Sequence, residues 1–160
     1  MLLAALLAAA TPEACTLRNA QPATVREIAA APDKWFDRCV RLEGFTMGRI
    51  FYQDAAGTYR YRASDEEDRP NDGWIGLYVR QGRANRRRAL RASVAGIVSS
   101  CARDYAKAKA RAGPDELVMP IGYCHYDGGL VLGEAVLRHG AKVSLRRLTG
   151  SKARLAVGDL

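Results

Sequence analysis

Two stretches of this chain alternate apolar and polar residues, and each carries a glycine inside the alternation. They are Val40-x-Leu42-x-Gly44 and Val94-x-Gly96-x-Val98. Side chains of a strand alternate between its two faces, and a glycine at an interior position permits the bulge or sharp bend by which a small barrel curves. The pattern therefore predicts a small, strongly curved β-structure.

Five segments have the alternation or the apolar content that is typical of strands. They are Cys39–Met47, Arg49–Asp54, Trp74–Val79, Leu90–Ser99 and Leu130–Leu137. Five strands that begin with a long, bent one resemble the OB-fold, a five-stranded Greek-key barrel. The resemblance covers about residues 38–137 and implies an α+β, mainly β fold. The chain departs from the family pattern in one respect, since its clearest helix follows the fourth strand. More loosely, the chain resembles small exported bacterial proteins of unassigned role.

Two helices are indicated by their end signals. Thr24 and Glu27 form a capping box, in which hydroxyl and carboxylate satisfy helix-start amides, so a short helix is expected to reach about Ala31. The Ala-rich, basic segment Ala102–Ala112 predicts a second helix before the last hairpin. Gly113-Pro114 ends that helix, because glycine favours the helix end and proline cannot continue it.

Two hairpins are expected from their turn residues. Ala55-Ala56-Gly57 separates the second strand from Thr58–Arg62, and Asp127-Gly128-Gly129 separates Ile121–Tyr126 from the last strand. The predicted globular domain covers residues 23–137. Residues 138–160 are expected to be an appendage that lies on the barrel.

The amino end is an apolar run closed by small residues. Met1–Ala10 contains only Leu and Ala after the initiator, which predicts a signal peptide over residues 1–10. The run is shorter than the ~20 apolar residues that span a bilayer, so no transmembrane segment is expected. The alternatives are an Ala/Leu helix kept in the mature protein and lipid attachment at Cys15. The expected location is periplasmic or secreted.

Four cysteines make an even set, which in an exported chain predicts two disulfides with three possible pairings. They are Cys15, Cys39, Cys101 and Cys124. Pairing within each half of the chain is favoured, because each bridge then closes a loop of about 25 residues and stabilises the fold by roughly 3 kcal/mol. A zinc site is the alternative, but the cysteine spacing lacks the short C-x2-4-C repeats that zinc clusters use. No metal is predicted.

The positive charge is concentrated in one part of the chain. Residues 80–111 hold ten basic residues and one acid, whereas the whole chain carries a formal net charge of +8. Such a run is either a solvated face or a binding surface. The candidate cations are Arg83, Arg86, Arg87, Arg88 and Arg91. The candidate stacking aromatics, expected to be exposed, are Phe51, Tyr59, Tyr61 and Tyr78; the alternative is that they form the core.

A second candidate site surrounds one of the two histidines. Tyr123, His125 and Asp127 lie within five positions, and on a strand Tyr123 and His125 would share a face. His125 could then serve as a general base that Asp127 orients. The alternative is that these residues flank a buried disulfide. The acids of residues 65–68 are a further hydrolase or nuclease candidate, but they lack the D-x-D-x-D-G spacing of a cation loop.

The sequence lacks the motifs of several catalytic and cofactor-binding sites. No G-x-S-x-G elbow and no phosphate-cradling glycine loop is present, so no cofactor is predicted. The favoured hypothesis is a disulfide-bonded, non-catalytic binding module that recognises an anionic glycan, a lipid headgroup or an envelope protein. Single-stranded nucleic acid would fit the same chemistry, but the compartment disfavours it. A small hydrolase using His125 with Asp127 or residues 65–68, and a purely structural envelope role, are the alternatives.

Overall fold

The computed structural model describes residues 13–58, 73–83, 88–113, 115–126 and 129–140. The strands are β1 (Gln21–Pro22), β2 (Cys39–Met47), β3 (Ile50–Tyr52), β4 (Trp74–Gln81), β5 (Leu90–Ser100) and β6 (Leu130–His139). The helices are α1 (Val25–Ala30), α2 (Cys101–Arg111) and the single turn α3 (Tyr123–Tyr126), with a 3₁₀ turn at Pro32–Lys34. These bounds agree closely with the predicted strands and with the predicted helices at both ends of the domain.

Five of the strands close into a barrel. The hydrogen-bonded order is β2, β3, β4, β6 and β5, and β5 pairs again with β2. All neighbours in the barrel are antiparallel except β4 and β6, which are parallel. Strand β1 adds two residues in parallel to the start of β2. The prediction of a mainly β, α+β protein with a small OB-like barrel is confirmed.

The two interior glycines serve different purposes. Pairing of β2 with β5 runs unbroken through Gly44, so there is no bulge at this position. A Cβ on Gly44 would instead lie 2.8 Å from Cζ of Phe51 and closer still to the carbonyl oxygen of Tyr52, so glycine is needed for the close approach of β3. Gly96 lies opposite an irregularity, because Ala95 pairs with Val136 while Ile97 pairs with Gly133.

The extra residue of that irregularity belongs to β6. Glu134 adopts a positive φ of 49°, and the pairing of β4 with β6 shifts at the same place, between Leu77 and Val79. A bulge of this kind bends the strand and increases its twist. The bulge therefore shifts the register of β6 against both of its neighbours, the parallel β4 and the antiparallel β5.

The barrel interior is apolar, and helix α1 closes one of its ends. The largest fully buried side chains include Leu42, Phe51, Ile75 and Leu132, and Val25 and Ile28 of α1 join the same cluster. Burial of each such side chain stabilises the fold by about 1.5–3 kcal/mol.

The predicted capping box holds the start of α1. The Glu27 amide donates to Thr24 Oγ1 at 3.1 Å, and the Thr24 amide donates to Glu27 Oε2 at 2.7 Å. The Val25 amide donates to Oε1 of Gln53, which follows β3, at 2.7 Å. Helix α1 therefore lies at the end of the barrel where β3 finishes and β2 begins.

Both disulfides join cysteines within one half of the chain, as the sequence favoured. Cys15 is bonded to Cys39 and Cys101 to Cys124, with Cα atoms 5.5 and 5.3 Å apart. The first bridge ties the segment before β1 to the start of β2. The second ties α2 to α3. All four sulfurs are committed to these bonds, so the zinc alternative for the cysteines is wrong.

Both predicted hairpins differ from the structure. Residues 123–126 form the helical turn α3 instead of a strand beside β6, because the disulfide holds this segment against α2. The antiparallel partners of β3 are β2 and β4, and Thr58 belongs to a helical turn in which the Gly57 amide donates to Asp54 Oδ1 at 2.8 Å. Residues 59–62 lie outside the described residues. Strand β6 continues through His139, past the proposed start of the appendage.

Candidate functional site

The barrel topology brings basic residues from three separate places in the chain together at one end. Thr46 near the end of β2 pairs with Leu90 at the start of β5, and the ends of β4 and β6 lie side by side. Ala92 pairs with His139, so the end of β6 is also next to the start of β5. This end, opposite α1, is called the basic end, and it carries Arg49, Arg80, Arg83, Arg88 and Arg91.

A cleft of about 430 Å³ opens at the basic end. It forms where β4 continues past the start of β3: the last backbone contact between them is the Leu77 amide donating to the carbonyl of Arg49 at 2.8 Å. The cleft is lined by Gly48, Arg49, Leu77, Tyr78, Val79, Arg80 and Ile121. Two guanidinium groups and one phenol therefore share a concave surface with apolar side chains.

Arg80 has a carboxylate neighbour that does not neutralise it strongly. The Arg80 guanidinium lies 4.0 Å from Glu134 Oε2, and both side chains are largely exposed. An exposed ion pair at this distance contributes little, about 0–1 kcal/mol, because water screens it and both side chains lose freedom. Arg80 is thus able to exchange this partner for an anionic ligand.

His139 joins the end of β6 to the segment that follows β4 at the basic end. Its Nε2 lies 2.6 Å from the carbonyl oxygen of Arg83, so the ring Nε2–H donates to the backbone just after β4. The backbone also turns tightly here, since a Cβ on Gly82 would lie 2.6 Å from the carbonyl oxygen of Leu137. The sequence offered no role for His139. The structure shows that it ties the end of β6 to the segment that carries Arg83.

Of the aromatic residues predicted for the binding surface, the two that the structure describes, Tyr78 and Phe51, lie in different environments. Tyr78 is half-buried in the cleft wall: its hydroxyl donates to the carbonyl of Ile121 at 2.6 Å and accepts from the Cys124 amide at 3.2 Å. Phe51 is fully buried in the barrel, so its expected exposure is wrong. Both faces of β3 are covered, which its short sequence did not reveal. Tyr59, Tyr61, Arg86 and Arg87 lie outside the described residues.

The residues of the alternative catalytic site do not share a face. Tyr123 is only 4% exposed and packs with Tyr52 and Trp74 in a second apolar cluster, whereas His125 is exposed. Their divergence follows from the helical turn, which rotates successive side chains by about 100° instead of alternating them. Cys124 between them is held in its disulfide. Asp127 and the acidic residues 65–68 lie outside the described residues.

An exposed apolar segment was missed by the sequence analysis. Leu117, Met119 and Ile121 are 82%, 59% and 73% exposed, in the irregular segment between α2 and α3. The signal for it is the continuous apolar run of residues 117–121, which follows the Gly113-Pro114 helix stop after two acids. Only Ile121 of this run was included in the predicted hairpin strand Ile121–Tyr126, and the structure gives residues 117–121 no strand partner.

A smaller cavity of about 230 Å³ lies beneath this segment. Its walls come from α2 and from the segment itself, and they are mostly apolar. The lining residues are Tyr78, Cys101, Asp104, Tyr105, Ala108, Val118, Met119, Pro120, Ile121 and Cys124. Tyr78 and Ile121 line both cavities, so the segment forms part of the wall of the cleft at the basic end as well.

The fold and the cysteines define a class: a small, disulfide-bonded protein with an OB-like barrel. Comparison of the chain with protein-family models, with curated proteins and with solved structures found no match. None of the helices in the described part of the chain has the length and apolar content needed to cross a bilayer. Within those same residues, no three His, Cys, Asp or Glu side chains cluster as metal ligands would.

Proposed function

We propose that this protein is a non-catalytic binding module that recognises an anionic component of the cell envelope through its basic end. One observation carries the proposal. Arg49, Arg80, Arg83, Arg88 and Arg91 come from three separate places in the chain, the turn after β2, the end of β4 and the start of β5, and meet at one end of the barrel, beside a cleft. Two of them, Arg49 and Arg80, line the cleft directly.

The two disulfides support a location in an oxidising, exported compartment, periplasmic or secreted, because such bonds persist there and are rare in a reducing cytosol. The apolar run at residues 1–10 is the proposed export signal. In that compartment, anionic glycans and lipid headgroups are the available polyanions, and nucleic acid is a less suitable ligand. An anionic envelope protein is the third candidate partner.

The position of the cleft supports the same function. OB-like barrels bind ligands on the face of the second and third barrel strands and on the loops beside it. Here those strands are β3 and β4, and the neighbouring loops contribute Gly48, Arg49 and Ile121 to the cleft. The resemblance thus supports a ligand site at the concave, cationic surface of this chain. Guanidinium groups suit sulfate, phosphate and carboxylate, which they bind through paired hydrogen bonds.

The experiment compares two double variants that lose the same charge. Arg49→Ala with Arg80→Ala removes the cations of the cleft, whereas Arg18→Ala with Arg26→Ala removes two exposed cations away from the basic end. The measurement is the salt concentration that elutes each protein from immobilised heparin, a soluble polyanion. We expect the cleft variant to elute at clearly lower salt than the wild type, and the control variant to elute close to the wild type.

An equal decrease in the eluting salt concentration for the two double variants would show that only net charge determines heparin binding, and it would overturn the proposal. Failure of the wild type to bind heparin at low salt would overturn it too. Thermal melting of all three proteins checks that the folds are equivalent. The substituted arginines are exposed and outside the core, so their removal is expected to leave the melting temperature nearly unchanged.

A further inference from the structure

Three apolar side chains project from one side of the segment between α2 and α3. Leu117, Met119 and Ile121 occupy alternate positions and are 82%, 59% and 73% exposed, whereas Val118 between them is half-buried in the cavity beneath the segment. Met119 and Ile121 also contribute to the lining of that cavity, and Leu117 does not. The segment therefore packs on the barrel through Val118 and displays an apolar edge of Leu117, Met119 and Ile121 to the surroundings.

The backbone of the segment is held at both of its ends. At its start, the Gly113 amide donates to Glu116 Oε2 at 3.2 Å and the Glu116 amide donates to the carbonyl of Gly113 at 3.1 Å. At its end, the carbonyl of Ile121 accepts from the Tyr78 hydroxyl, and the Cys101–Cys124 disulfide follows. Large apolar side chains presented in this way by a fixed backbone mark an interaction surface.

Cations lie on both sides of the apolar edge. Lys109 and Arg111 are exposed in the last turn of α2, just before the segment. Beyond it, the Arg49 guanidinium lies against Gly122, and Arg80 lines the cleft together with Ile121. The acids that face this region are Asp115 and Glu116 at the start of the segment, Asp104 in the wall of the cavity beneath it, and Glu134, which lies 4.0 Å from Arg80.

We propose that this edge inserts Leu117, Met119 and Ile121 into the outer part of an anionic lipid bilayer, while the flanking cations contact the headgroups. Apolar side chains at the boundary between headgroups and acyl chains, with Lys and Arg beside them, are the arrangement by which proteins lie on such a surface. The headgroup contacts of Arg49 and Arg80 rest on the function proposed above. The apolar insertion does not depend on them.

Charge and shape favour a bilayer over the other occupants of an apolar surface. The cations beside the edge are complementary to an anionic headgroup layer, which offers them phosphate oxygens. The three side chains project outward, so they suit a soft layer that closes around them better than a protein surface with a preformed pocket. The irregular backbone would stay at headgroup level, where water satisfies its polar groups.

The first experiment measures co-sedimentation with vesicles of phosphatidylcholine alone and of phosphatidylcholine mixed equally with phosphatidylglycerol. We expect the wild type to bind the mixed vesicles much more strongly. Leu117→Ser with Met119→Ser and Ile121→Ser is expected to weaken that binding at least about tenfold. Leu117→Ser alone, at a position that does not line the cleft, should keep the heparin retention of the wild type. The single variant Leu117→Ser, at the most exposed position, provides a second test with the least risk to folding.

The second experiment measures how deeply position 119 inserts into the bilayer. In Met119→Trp, the added indole should shift its emission to shorter wavelength on mixed vesicles and be quenched by brominated acyl chains. The control Ala30→Trp lies on α1, at the opposite end of the barrel, and should show neither change.

Three results would overturn the insertion: wild type that binds heparin but not mixed vesicles, unchanged vesicle binding by both serine variants, or equal quenching of the two tryptophan variants. Light scattering that shows a dimer which the triple variant abolishes would assign the edge to a second copy and would also overturn it. Loss of heparin binding with vesicle binding intact would instead overturn only the function proposed above.

Discussion

The ring of Tyr123 occupies the space that a side chain at position 76 would fill. A Cβ on Gly76 would lie 2.6 Å from Cε1 of that ring and closer still to two of its other atoms. Gly76 lies in β4, where it pairs with Ile50 and Val131, and Tyr123 is almost fully buried against it. This contact fastens α3, and with it the segment before α3, to the wall of the barrel.

Gly76→Ala is therefore expected to lower the free energy of unfolding by about 1–3 kcal/mol, because the added methyl group must displace a buried ring. Urea denaturation measures the loss. The matched control is Gly113→Ala, since a Cβ at position 113 meets nothing within 4 Å. Equal effects of the two substitutions would contradict the close contact of Gly76 with Tyr123.

Tyr78→Phe is expected to loosen the segment 115–121 while leaving the barrel intact. The change removes the hydrogen bond to the Ile121 carbonyl and the one from the Cys124 amide. A typical hydrogen bond contributes about 1 kcal/mol, and an amide that loses its acceptor exchanges faster. Hydrogen exchange at the Cys124 amide is the measurement, with Tyr105→Phe, a substitution on the exposed face of α2, as control. An unchanged exchange rate in Tyr78→Phe would contradict the positioning of the segment by this hydroxyl.

Asp37 is expected to make the stability depend on pH in acid. The hydrogen bond from Lys107 is the largest cause that lowers the pKa of Asp37 below 3.8; burial opposes it as the second-largest effect, and the charges of Lys107 and Arg103 add to the lowering. Because the folded pKa is lowered, this stabilisation is fully present above pH 3.8 and is lost as the pH falls through the folded pKa. The measurement is the melting temperature of wild type and Asp37→Asn from neutral pH to strong acid.

The two melting curves should differ above pH 3.8 and converge in strong acid. Asparagine tolerates the positive φ of 62° at position 37, so the substitution changes the charge without straining the backbone. The control Asp33→Asn removes one carboxylate from the neighbouring 3₁₀ turn. A constant difference between wild type and Asp37→Asn down to strong acid would contradict the role of the Lys107 and Arg103 contacts.

Strands were predictable wherever one face of the sheet meets the core and the other meets solvent. β2 shows this alternation clearly, whereas residues 94–96 of β5 are all buried. The closed barrel confirms the predicted curvature, but the interior glycines of both strands permit the close approach of a neighbouring strand and not a bulge in their own strand. β3 is different: Ile50 and Tyr52 face the cluster around Tyr123 while Phe51 faces the barrel interior, so all three residues are buried. A segment covered on both sides has no polar face, and its exposure could not be inferred from the spacing of its aromatic residues.

The residue types of the candidate site could be predicted from the sequence, but their arrangement in space could not. The concentration of arginine was visible in the chain, but Arg49 lies outside the basic run and reaches the cleft only because the turn between β2 and β3 meets the end of β4. The conformation of residues 123–126 depends on a covalent bond to α2, which local sequence does not encode. Long-range pairing and cross-linking, rather than local pattern, decide both features.

Each disulfide closes within one half of the chain, whereas the pairings of β2 with β5 and of β4 with β6 join the two halves without a covalent bond. In the exported chain proposed above, the amino end would enter the oxidising compartment first, so the Cys15–Cys39 bond can form before Cys101 has emerged. Once it has formed, the two other pairings of the four cysteines are excluded, and Cys101 and Cys124 can pair only with each other.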